Sequence, residues 1–153
     1  MPSTQPASDL TAHLGYWLRY VSNHVSRAFA RKVEAHGVTV AEWVLMRQLL
    51  EEQAIAPSRL AERMGMTRGA ISKLADRLIA KSMLVRAADP EDGRAQTLSL
   101  TSAGRALVPE LAALADANDA EFFDGLAPDD RAALLRILRG IVERRGLESM
   151  PVD

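Results

Sequence analysis

Apolar residues recur along most of the chain with the period of a helix. Leu10, Leu14, Trp17, Leu18, Val21, Val25, Phe29 and Val33 fall three and four apart, predicting a first helix from about residue 9 to His36, stopped at Gly37. A helix of about 27 residues is roughly 40 Å long. One small globule does not cover that length, so the helix projects or meets a partner. Thr39 and Glu42 form a T-x-x-E capping box, with Val38 and Trp43 placed as a hydrophobic staple, and predict a second helix from Val40 to about Gln53. Pro57 opens a third, which carries Leu60, Ala61 and Met64 inward and ends at Gly65. Thr67 caps a fourth, whose Ile71, Leu74, Leu78 and Ile79 form one stripe.

The helical pattern then breaks. Leu84 to Ala87 and Gln96 to Leu100 read as strands, with Asp89, Pro90, Asp92 and Gly93 supplying the turn between them. Thr101 caps the next helix, with Leu107, Leu111 and Leu114 inward, and Pro109 bends it unless it falls in the first turns. A last helix begins near Pro128, with Asp129 and Asp130 at its positive end and Arg144 and Arg145 near its negative end before Gly146. The start "MPSTQPAS" and the tail "ESMPVD" read as loose ends.

Composition narrows the chemistry. With 153 residues, 48% apolar and 25% charged, the chain has the size and balance of one globular domain. It has no cysteine, which excludes disulfides and thiol chemistry and fits a reducing compartment. No secretory signal or membrane-length apolar run is present, so the expected location is the cytoplasm, with no membrane partner. Motifs of the common hydrolases and nucleotide-binding enzymes are missing, and His13, His24 and His36 have no partners at metal-ligand spacing. The acids at 89, 91 and 92 do not make a calcium loop: glycine stands fifth rather than sixth, and Leu100 occupies the place of the closing glutamate. No catalytic residue, metal or cofactor is expected.

Charge is unevenly spread. Between Arg59 and Arg86 there are seven basic residues against two acids, a local +5 inside a chain whose net charge is −1. Such a segment is the electrostatic footprint expected of a polyanion-binding module, and also the composition of an ordinary solvated helix face. With Ile71, Leu74 and Leu78 inward, Arg68, Gly69, Ser72, Lys73, Asp76 and Arg77 face outward. That face is small and basic near the helix N-terminus, the end a recognition helix inserts into a major groove. Helix, turn, helix and two-stranded wing is the order of a winged helix-turn-helix. The expected fold is therefore mainly α, with a two- or three-stranded antiparallel wing and long terminal helices.

The stretch "LAERMGMTRGAISKLADRLIAKSMLVRAADPEDGRAQTLSLTSAGRAL", residues 60 to 107, resembles the DNA-binding core of the MarR family of bacterial transcription regulators. The D-P-x-D-x-R wing followed by "LSLTSAG" is its most specific part, and "VTVAEWVLMRQLL" with the flanking helices extends the likeness over nearly the whole chain. The resemblance implies one domain: helices at about 9–36 and 102–147 for a homodimer, and 38–100 for DNA. It implies a repressor of a pseudo-palindromic double-stranded operator, released by a small aromatic or phenolic ligand. Thr67, Arg68, Gly69, Ser72, Lys73 and Arg77 then lie on or beside the recognition helix. Arg59 and Arg86 join the DNA-binding set, Arg94 enters a minor groove, and Asp89 and Asp92 orient it. Two departures stand out: Ala56 and Arg59 where a capping Ser or Thr and an acid are common, which frays that helix end or gives Arg59 a phosphate contact, and Gly93 where a second basic residue is common in the wing.

For the ligand, His13, Trp17, Tyr20 and His24 fall close to one face of the first helix, with Tyr16 at its border. Trp43 and Arg47, one turn apart, are candidates for the opposite wall, the arginine suiting a carboxylate. The competing reading of these aromatics is dimer packing. The competing reading of the whole chain is a helical protein-interaction module that keeps the winged fold without binding DNA.

Overall fold

A computed structural model describes residues 5–147; the first four residues of the loose start, and the tail from residue 148, lie outside them. The first helix is split. A single 3-10 turn, Leu10–Ala12, precedes His13 in extended geometry, and α1 runs from Leu14 to Glu34. Trp17 Nε1 donates to the Thr11 carbonyl at 2.9 Å and ties the two pieces together. Beyond α1 the chain turns at Gly37, whose φ of 82° needs a residue without Cβ.

Helix α2 (Val40–Leu49) starts as expected, with both bonds of the Thr39–Glu42 capping box present. It stops short of Gln53 for two physical reasons. Glu51 and Glu52 are disfavoured at a negative helix end. Ile55 is drawn into the sheet, exchanging backbone hydrogen bonds with Leu98 at 2.9 and 2.8 Å. Helix α3 (Pro57–Met64) ends at Gly65, which is left-handed at φ 63°, and Thr67 caps α4 (Arg68–Ala80) by accepting the Ala70 N–H at 3.1 Å.

Strands β1 (Leu84–Ala88) and β2 (Gln96–Leu100) pair antiparallel, with Leu84 opposite Leu100. The Ile55 bridge gives this wing the trace of a third strand. Helices α5 (Ser102–Phe123) and α6 (Pro128–Arg145) complete the chain. Helix α5 continues through Pro109, whose lost donor lies on an exposed flank. Its buried stripe is Gly104, Val108 and Leu111, while Leu107 and Leu114 are only half-buried, a rotation of the expected face.

The core is one cluster, with Leu45, Met46 and Leu49 of α2, Leu60 of α3, Ile71 and Leu78 of α4, Leu84 and Leu98 of the wing, and Leu111 of α5 fully buried. The junction between wing and α5 is tight. Thr101 Oγ1 donates to the Ser82 carbonyl at 2.7 Å and accepts the Gly104 N–H at 3.0 Å, while its own N–H donates to the Met83 carbonyl. A Cβ on Gly104 would overlap that Met83 carbonyl oxygen. This accounts for the "LTSAG" sequence: each of its Thr and Gly serves a contact. On the other side, Asn118 of α5 donates to the Val25 carbonyl and accepts from Lys32, whose Nζ also pairs with Glu121 at 2.6 Å, joining α5 to α1. Helix α6 buries no residue at all.

Candidate nucleic-acid interface

The sequence-predicted outward face of α4 is exposed as expected: Arg68, Gly69, Ser72, Lys73, Asp76 and Arg77 all reach solvent, as does Thr67 at the cap. A Cβ on Gly69 would meet nothing closer than Thr67 Oγ1 at 4.0 Å. The fold itself does not require glycine there, and the position leaves the backbone open to close approach. The guanidinium of Arg68, the Lys73 ammonium and the Arg77 guanidinium have no carboxylate within ion-pair distance among the described residues. Free cations on a rigid, well-anchored helix are what recognition of a polyanion needs, because no internal pair must first be broken.

The other basic residues are engaged. Arg86 of β1 donates to Asp76 of α4 at 2.8 Å, crossing from wing to helix. Arg59 and Arg63 of α3 both approach Glu52, at 3.8 and 2.6 Å. The Arg63 hydrogen bond, opposed by partial desolvation and aided by the charges of Arg63 and Arg59, holds the Glu52 carboxyl below the usual carboxylate range. Ala56, the N-cap of α3, provides no side-chain cap, which leaves the first turn of that helix dependent on Pro57.

At the wing tip the acids act on the backbone. Asp89 Oδ1 accepts the Glu91 N–H at 2.9 Å, and Asp92 Oδ1 accepts the Arg94 backbone N–H at 3.1 Å. With Asp89 N–H donating to the Ala95 carbonyl and Ala95 N–H to the Asp92 carbonyl, the tip is a closed pair of Asx-type turns. Without DNA these carboxylates bind the main chain that carries Arg94 rather than its guanidinium, and the Arg94 side chain is exposed with no acid in ion-pair range among the described residues. Gly93 is likewise not demanded by the turn. Its φ is not positive, and a Cβ there would meet open space.

The aromatic group of α1 is partly assembled. Tyr16 and Trp17 meet edge to face at 5.3 Å, Tyr20 lies within 6.4 Å of both, and His24 packs on Tyr20 at 5.1 Å. His13 sits at the break before α1 and makes no ring contact among the described residues. Trp43 and Arg47 are engaged elsewhere: Trp43 packs edge-on against Phe29, and Arg47 pairs with Glu51 at 3.2 Å. Phe29 projects from the flank of α1 opposite His24 and Tyr20. Within one chain the expected opposite wall is therefore not formed. No group of three or more His, Asp or Glu among the described residues is placed to hold a metal ion, and no described helix is long and apolar enough to cross a membrane.

Sequence reasoning missed two acids. Glu42 was legible only as a capping residue, yet it also holds Lys81, and Glu52 gave no local signal of gathering Arg59 and Arg63.

Residues 36–95 match the family model described as the MarR family. The chain is 29% identical over 98 residues to the HTH-type transcriptional repressor MdtR of Bacillus subtilis, covering 64% of this chain and 63% of that one. A probable transcriptional regulator from Pseudomonas aeruginosa superposes with a TM-score of 0.76 at 26% identity, over 87% of this chain and 99% of its own. BpsR of Bordetella bronchiseptica, whose DNA binding is regulated by 6-hydroxynicotinic acid, superposes with a TM-score of 0.76 at 25% identity, over 89% and 97%. Fold, wing sequence and family match agree: residues 36–95 match the MarR family, and the chain has the winged helix-turn-helix fold of its transcriptional regulators.

Proposed function

We propose that this protein is a homodimeric repressor that binds a pseudo-palindromic operator and is released by a small aromatic or phenolic ligand. The observation that carries the reading is the set of four cations without an acid in ion-pair range among the described residues, Arg68, Lys73 and Arg77 on α4 and Arg94 at the wing tip, held on elements whose backbones are fixed. Arg68 and Lys73 have donors for guanine edges or phosphates, with Thr67 and Ser72 as hydroxyl partners and Gly69 leaving room for the backbone. Arg94 enters the minor groove, where an arginine reads groove shape as well as bases. Arg59 and Arg86 supply phosphate contacts once they leave Glu52 and Asp76. Asp89 and Asp92 contribute by shaping the wing.

The dimer is supported by what one chain leaves uncovered. Leu14, Trp17, Leu18 and Val21 on α1, and Leu134, Leu135, Ile137, Leu138, Ile141 and Val142 on α6, are exposed large apolar residues. Contiguous apolar faces of this kind mark interfaces. Two-fold symmetry then spaces the half-sites about one helical turn apart. The cluster of Tyr16, Trp17, Tyr20 and His24, with His13 near its end, is the ligand surface favoured by geometry. Trp43 and Arg47 join it only from a second chain or after rearrangement. The regulation of BpsR by a hydroxylated aromatic acid supports this class of ligand.

Fluorescence anisotropy with genomic fragments, over a salt series, tests the reading. A complex whose affinity falls with salt at a log-log slope near −0.9 per phosphate neutralised supports it. A chain that forms no salt-sensitive complex is instead a protein-interaction module of the same fold. Sedimentation of the protein and of a Leu138→Glu variant tests the dimer: the variant should be monomeric, and an unchanged sedimentation coefficient removes α6 from the interface.

A further inference from the structure

Glu42 is 1% exposed and is the one buried charged side chain among the described residues. Its Oε1 accepts the Thr39 N–H at 3.2 Å, which completes the capping box. Both of its oxygens also accept from Lys81 Nζ, at 3.0 and 2.8 Å. A capping box needs only the first of these bonds, and Gln serves it as well as Glu. A buried carboxylate is costly unless paired. The charge at position 42 therefore belongs with Lys81 rather than with the cap.

Lys81 is the residue that ends α4. Its N–H closes the last turn on the Arg77 carbonyl, and the next two amides, of Ser82 and Met83, donate to the Ile79 and Leu78 carbonyls. Ser82 is held at a φ of 62°, the one non-glycine residue with positive φ among those described. From the opposite side Thr101, the N-cap of α5, binds the Ser82 and Met83 carbonyls. The C-terminal end of α4 is thus gripped by the capping residues of two other helices.

We propose that Lys81 is a positioning residue, and that the Glu42–Lys81 link sets the angle at which α4 presents Arg68, Ser72 and Lys73 to DNA; this rests on the DNA-binding reading above. The leverage is large. Arg68 lies about 20 Å along the helix axis from Lys81, so a tilt of about 10° at the gripped end moves the other end by roughly 3 Å. A displacement of that size removes a hydrogen bond to a base edge. Apolar contacts of Leu74 and Leu78 hold α4 against the core, but they are not directional. The ion pair supplies the direction, and α2 carries it from the turn at Gly37 that follows α1.

Glu42→Gln, Lys81→Met and Lys81→Arg test this. Hydrogen exchange without DNA reads the Lys81, Ser82 and Met83 amides, with the Glu42 amide as control for the cap. Anisotropy compares an operator found by footprinting with a scrambled duplex. Glu42→Gln should speed exchange at the three amides by about tenfold while the Glu42 amide stays protected. It should weaken operator binding by about tenfold and scrambled binding by less than about twofold. Lys81→Met should share the exchange change, and Lys81→Arg should retain both properties. Unchanged exchange in Glu42→Gln, or equal losses on the two duplexes, overturns the proposal. A wild-type chain with no salt-sensitive complex would refute DNA binding, while the exchange measurement would still decide whether the link fixes α4.

Discussion

Asp76 and Arg86 are joined across the gap between α4 and the wing, Nη2 to Oδ1 at 2.8 Å, so an acid on the outward helix face holds a cation that would otherwise be free. Both side chains are substantially exposed, and such a pair contributes little to stability. Its effect is on charge. Asp76→Asn should leave the melting temperature nearly unchanged, release Arg86 and tighten binding to non-specific duplex. Because Arg86 contacts phosphate in both complexes once the pair has opened, the log-log salt slope should stay nearly the same while the affinity rises. A salt titration of both proteins checks this, and an unchanged affinity would show that Arg86 does not reach DNA.

The wing makes a sharper distinction. Because Asp92 accepts a backbone N–H, its charge is dispensable and its carbonyl-type oxygen is not. Asp92→Asn should keep operator affinity, whereas Asp92→Ala should lose the turn bond and cost about 1 kcal/mol in binding. If orienting the Arg94 guanidinium were the acid's role, Asn would fail as badly as Ala. Gly93 has no conformational duty, so Gly93→Lys should fold normally and add one unit of salt dependence of about 0.9.

Gly104 is different in kind. Its open side is filled by the Met83 carbonyl, and even a methyl group must push the α4–β1 turn away from α5. Gly104→Ala should destabilise the fold by about 3 kcal/mol, at the upper end of ordinary overpacking, despite the higher helix propensity of Ala. Urea denaturation at neutral pH measures it. A gain in stability would mean that the turn yields freely, and with it the anchoring of α4 through Thr101.

Glu52 predicts a pH effect with a definite sign. Its folded-state pKa lies below the ordinary glutamate value, chiefly through the Arg63 hydrogen bond. The pair therefore stabilises the fold above the unfolded-state value of about 4.3 and loses that contribution as pH falls through the lower folded-state value. Wild type should melt above Glu52→Gln at neutral pH, and the two curves should converge in acid below that range. At neutral pH the variant should also bind DNA more tightly, having freed Arg59 and Arg63. Parallel curves throughout would remove Glu52 as the group responsible.

Signals carried within a few residues were legible in the sequence. Thr39 with Glu42, Pro57, Gly65, Thr67, Thr101 and Gly146 all start or stop elements where their chemistry places them. What was not legible depends on residues far apart. The early end of α2 is decided by Ile55 meeting Leu98, and the break at His13 by Trp17 reaching back to Thr11. At the site, the exposed face of α4 followed from periodicity alone. The pairing of Arg86 with Asp76, of Arg59 and Arg63 with Glu52, and of Lys81 with Glu42 did not, because each crosses between elements. Trp43, a candidate for an aromatic wall, packs within one chain against the core beside Phe29.

Helix α6 brings in a quantity that no single chain possesses. No residue of α6 is fully buried, and its large apolar side chains stay more than a third exposed, so whatever covers them from a second copy holds by mass action. With a second copy as its cover, α6 should melt at a temperature that rises with protein concentration, while the core that α2–α5 share melts at one that does not. The amount of regulator in the cell would then govern how much of it is fully folded.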